Sequence, residues 1–215
     1  MKQRIANAIA MACLALAIGA VIGSVKATLD AGKIDGPSAR LVTPGGPVWL
    51  GVNDELWRLS PEGTLIDRQP IAATGVPSSP ANLVHGPDGS VVASVRRDST
   101  LYVLDAAGAR VTRTLRPQWP EALAKHGGRA INFAFDPNGR VAIATGGGDA
   151  VALFEADGRF VAHTPRDTYI FSNGLWWSDG GWWTTDTNRF TLRLLEADLM
   201  QPRRALERVR GAGGS

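Results

Sequence analysis

Apolar and polar positions in this chain alternate in short bursts and show no helical period. Short runs rich in Val, Leu, Ile, Phe and Trp are cut by turn-forming residues, the pattern of strands joined by tight turns. The densest instance runs from Phe171 to Arg189. There, two apolar strands flank a Ser178-Asp179-Gly180-Gly181 turn, and a polar Asp186-Thr187-Asn188-Arg189 turn closes the unit. Upstream, Gly86-Pro87-Asp88-Gly89 and Asp136-Pro137-Asn138-Gly139 each precede a Val-rich strand. A second turn series interleaves with the first: Ser60 to Gly63, Asp105 to Gly108, Glu155 to Gly158, then Glu196-Ala197-Asp198. Gly63, Gly108 and Gly158 lie 45 and 50 residues apart, and the last spacing is about 41. Several strands repeating at such a period mark an all-β fold of the β-propeller type.

The first unit starts near Leu41, with strands at Val48–Gly51, Leu56–Leu59 and Leu65–Pro70. The second has strands near Ala81–His85, Ser90–Val95, Thr100–Leu104 and Arg110–Leu115. The third has Ala130–Phe135, Val141–Thr145, Val151–Phe154 and Phe160–Thr164. The fourth has Ile170–Trp176, Gly181–Thr185, Thr191–Leu195 and Ala205–Val209. Many strands are apolar on both faces, as expected where each blade packs on two neighbours. Pro117 to Gly128 is the longest insertion, with a short helix expected over Pro120–Lys125. Four recognisable blades in this length suggest part of a larger, six-bladed ring or a half that needs a partner. The two terminal blades then carry apolar faces, with Trp49 and Leu194 among them, so self-association is expected.

The 25 glycines and 13 prolines fit many tight turns, and a net charge of +3 is mild. Basic clusters at Arg96-Arg97, at Arg110 to Arg116 and at Arg203 to Arg210 read as solvated surface, so nucleic acid is not an expected partner. Cys13 is the sole cysteine and lies in the apolar N-terminus, which rules out disulfides and cysteine-ligated metals in the folded domain.

Lys2 and Arg4 precede an uncharged run from Ile5 to Val25, about the length of a transmembrane helix. The chain divides into an N-terminal membrane anchor or signal (1–26), a linker (27–40) and propeller blades (41–210). The positive flank stays inside, which places the blades on the extracytoplasmic, periplasmic side of a single-pass anchor. Val25-Lys26-Ala27 also reads as a signal-peptidase site, and cleavage there makes the protein secreted.

The fourth unit resembles the senescence-marker-protein/gluconolactonase/regucalcin family of six-bladed propellers. The resemblance rests on Ser172-Asn173-Gly174-Leu175-Trp176-Trp177-Ser178 and on Thr185-Asp186-Thr187. Gly46-Pro47-Val48-Trp49 and the segment Arg129 to Gly139 are similar to further family segments, and Asp186 to Arg189 is similar to the NHL-repeat signature. The resemblance covers about residues 41 to 200. It implies a divalent metal, calcium or zinc, in the central channel, held here by Asn173 and Asn132. The family's acidic ligand before Pro-Val-Trp has no counterpart, because Pro44, Gly45 and Gly46 stand there. Two neutral amides make a poor site for a hard dication.

Other motifs read as structure. Gly146-Gly147-Gly148-Asp149 lacks the Lys and helix of a phosphate loop and is a hairpin loop. His85, His126 and His163 fall in different units. Among the paired tryptophans of the fourth unit, at least half must pack between blades, because adjacent strand residues face opposite ways. The expected function is therefore a membrane-tethered, extracytoplasmic β-propeller that binds a protein or small ligand and is non-catalytic. The alternative, implied by the resemblance, is a metal-dependent lactonase-like hydrolase of the gluconolactonase type.

Overall fold

The computed structural model describes residues 38–95, 98–127, 132–145, 150–165, 172–186, 191–199 and 202–207. They form four four-stranded antiparallel sheets, each a meander in chain order. Blade one holds β1 (Ala39–Val42), β2 (Val48–Val52), β3 (Glu55–Leu59) and β4 (Leu65–Pro70). Blade two holds β5 (Pro80–His85), β6 (Val91–Val95), β7 (Leu101–Leu104) and β8 (Val111–Leu115). Blade three holds β9 (Phe133–Phe135), β10 (Val141–Ala144), β11 (Val151–Phe154) and β12 (Phe160–His163). Blade four holds β13 (Ser172–Ser178), β14 (Gly181–Asp186), β15 (Thr191–Leu195) and β16 (Pro202–Glu207). Two short helices, α1 (Ile71–Thr74) and α2 (Glu121–Gly127), lie in the connections between blades. The inner strands pack in series, β1 on β5, β5 on β9 and β9 on β13; among the described residues β13 has no comparable packing on β1.

One feature differs from the sequence expectation, and a second was not part of it. The first blade begins with β1 at Ala39, two residues inside the stretch read as linker. β1 is a strand because it pairs with β2, Ala39 opposite Gly51 and Leu41 opposite Trp49, a contact that the local sequence does not announce. The fourth blade's outer turn carries Leu199, not glycine, at φ 62°. Its N–H closes the turn on the Glu196 carbonyl at 3.0 Å. The left-handed backbone disfavours a side chain by roughly 1–2 kcal/mol. Leu199 is buried against blade three, and fully burying such a side chain stabilises by roughly 1.5–3 kcal/mol.

Three apolar clusters hold the blades together, one at each interface. Trp49 and Leu56 of blade one meet Val91, Ala93, Val95 and Leu104 of blade two. Val92, Leu101 and Val103 meet Phe133, Val141, Ile143 and Phe154 of blade three. Ala142, Val151 and Leu153 meet Trp182 and Leu195, with Leu175 and Trp177 packed alongside. Residue parity decides which neighbour each side chain meets, because successive strand residues point to opposite faces. Thus β10, apolar throughout, and β6, apolar but for Ser94, are buried on both faces. Parity also corrects the expectation for the terminal blades. Trp49 faces blade two and is buried, and Leu194, though on blade four's outward face, is covered. The large apolar residues exposed in these two blades, among the described residues, are Val42, Leu65, Ile66 and Trp176.

The run 5–25, with Cys13, lies outside the described residues, as do Gly146 to Asp149. Among the described residues no helix is long and apolar enough to cross a membrane.

Candidate functional site

The meander gives the propeller two unlike rims. One carries the turns β1–β2, β3–β4, β5–β6, β7–β8, β9–β10, β11–β12, β13–β14 and β15–β16. These turns are short and self-satisfied: Gly63, Gly89, Gly108, Gly139 and Gly158 each donate back to the carbonyl three residues earlier, at 2.8–3.1 Å. Asp136 is typical. Its buried carboxylate accepts from the Asn138 and Arg140 N–H groups at 2.9 Å each, and from Arg140 Nε at 2.7 Å. Such side-chain-to-backbone bonds leave little polar capacity for a ligand.

The other rim carries the longer connections between blades and the β2–β3, β6–β7, β10–β11 and β14–β15 loops. Polar side chains gather here. Ser79 donates its hydroxyl to the Asn53 carbonyl and, at 3.1 Å, to Asp54 Oδ1. In the β6–β7 loop Asp98 accepts from the Thr100 N–H at 2.8 Å and from the Tyr102 hydroxyl at 2.6 Å. Burial works to raise the Asp98 carboxyl, but the Tyr102 and Thr100 hydrogen bonds and the Arg116 charge outweigh it and hold the group below its ordinary value. Tyr102 moves the other way, pushed up to about 12 by burial, by its bond to Asp98 and by that carboxylate's charge. Asp98 is therefore a fixed anion on this rim at neutral pH.

The sequence-predicted ligands also lie at this rim. Asn132 leads into β9, and its carbonyl accepts from the Ala144 N–H at 2.9 Å. Asn173 sits in β13 at the irregularity between the Ser172–Asp186 and Gly174–Thr185 pairs; its side chain lies outside the described residues. The register adds Asn82, which the sequence reading missed. Asn82 stands opposite Ser94 in blade two as Asn132 stands beside Ala144 in blade three. The signal was present: Asn82 precedes Gly86-Pro87-Asp88-Gly89 by four residues, as Asn132 precedes Asp136-Pro137-Asn138-Gly139. The Asn82 amide oxygen accepts from the Leu83 N–H at 2.9 Å.

These amides are neutral, and among the described residues no three of His, Cys, Asp and Glu converge where they could share an ion. A hard dication takes six to eight oxygens, usually with negative charge among them, so Asn132 and Asn173 by themselves do not fit one well. Two of the histidines are committed separately, and the side chain of His126 lies outside the described residues. His85 Nε2 and Thr43 Oγ1 are hydrogen-bonded at 2.6 Å, and His163 Nδ1 bonds the Thr164 carbonyl at 2.6 Å. The tryptophans divide by face: Trp177 and Trp182 meet edge-to-face inside the blade three interface at 4.7 Å, while Trp176 and Trp183 stack at 6.2 Å on the opposite face.

No protein-family model matches the chain, and no curated protein matches it. Similar solved structures include a streptogramin B lyase, with a TM-score of 0.58 and 14% identity over 83% of this chain and 56% of that one. Another is the selenomethionine-substituted virginiamycin B lyase from Staphylococcus aureus, with a TM-score of 0.56 and 14% identity over 84% of this chain and 58% of that one. The chain thus spans a little over half the length of these structures. At this identity the likeness carries the fold, and the chain is a β-propeller of four described blades.

Proposed function

We propose that this chain is a ligand-binding, non-catalytic propeller, tethered outside the cytoplasm by its N-terminal segment, whose connection rim takes a protein or small ligand. One observation supports this above others. The turn rim is made of short turns that bond to themselves, whereas the longer connections of the opposite rim bring together Asn82, Asn132, Asp54 and the anionic Asp98, with Asp54, Asn82 and Asp98 each held by local hydrogen bonds. Binding function concentrates in such longer connections, held in place by a rigid scaffold. The tether rests on the uncharged run from Ile5 to Val25 after Lys2 and Arg4. The lyase titles of the two similar structures name what those proteins do; at 14% identity they supply no residue roles here.

Two measurements test the reading. A phosphatase reporter that is active only outside the cytoplasm, fused after Ser38, is expected to be active; a well-expressed but inactive fusion overturns the topology. Thermal-shift screening of the full chain against sugars, lactones and short peptides is expected to give hits that Asp98→Ala or Asn82→Ala removes. Asp88→Ala, on the turn rim, should keep them. Metal-dependent hydrolysis of a sugar lactone that Asn173→Ala abolishes would replace this reading with the hydrolase.

A further inference from the structure

We draw no further inference here: the strongest candidate, the Asn82–Ser94 pair where blade two meets the connection rim, with its fully buried Ser94 hydroxyl unpartnered among the described residues, belongs to the site already described.

Discussion

The indole of Trp49 lies against the backbone of Gly108, so closely that a Cβ placed on Gly108 would stand 2.5 Å from Trp49 Cη2. The contact crosses from the second strand of blade one to the outer turn of blade two, where Gln69 Nε2 also donates to the Gly108 carbonyl at 2.6 Å. Gly108 serves two needs at once: a φ of 68° that closes the turn and room for the ring.

Gly108→Ala should therefore lower stability by roughly 2–4 kcal/mol, adding left-handed strain to overpacking. Gly63→Ala is the control. Its φ is 88°, but nothing lies within 4 Å of the added methyl, so only the backbone strain of about 1 kcal/mol is expected. Urea denaturation of both variants reads the difference, and equal losses would contradict the packing role of Trp49.

Ser94 stands where blade three has Ala144. It is fully buried, and its hydroxyl makes no hydrogen bond among the described residues. Ser94→Ala should raise stability by about 1 kcal/mol, since a buried unpaired hydroxyl is removed without opening a cavity. A lower melting temperature would show that the hydroxyl is satisfied.

The Asp98–Tyr102 pair sets two pH limits. The Asp98 carboxyl is held below its ordinary 3.8 in the folded protein, so its contribution is present above that value and is lost as pH falls through the folded one. Tyr102 is raised from 10.0 to about 12; its contribution is present below 10.0 and is lost as pH rises through about 12. Asp98→Ala should cost about 1–2 kcal/mol at neutral pH and flatten both limbs. Tyr102→Phe should remove the alkaline limb alone. Melting curves from acid to alkaline pH decide this, and an unchanged alkaline limb in Tyr102→Phe counts against the pairing.

Calcium or zinc should raise the melting temperature little, because Asn132 and Asn173 are neutral and a ligand stabilises only as far as it binds the native state. Dissociation constants no tighter than roughly millimolar are expected. Calorimetry showing micromolar binding that Asn173→Ala or Asn132→Ala removes would overturn this.

The turns and hairpins were legible in the sequence because their causes are local. Glycines at positive φ, Asp136 bonding its own turn, and the Asp179-Gly180 link between β13 and β14 all act within a few residues. Their spacing carried the propeller, and the helix expected over Pro120–Lys125 stands as α2 at Glu121–Gly127. Tertiary structure decided what depends on distant partners. β1 is a strand because of Trp49 and Gly51, and Leu199 accepts a left-handed backbone because blade three buries it. Asn82 joins Asn132 at one rim only once β5 and β9 lie side by side. The sequence placed tryptophans on both faces of blade four, but only the stacking of the blades determined that Trp182 is enclosed while Trp183 faces away from the neighbour that blade has. Alternation along a strand is a local rule, whereas which face meets a neighbour depends on how whole sheets pack.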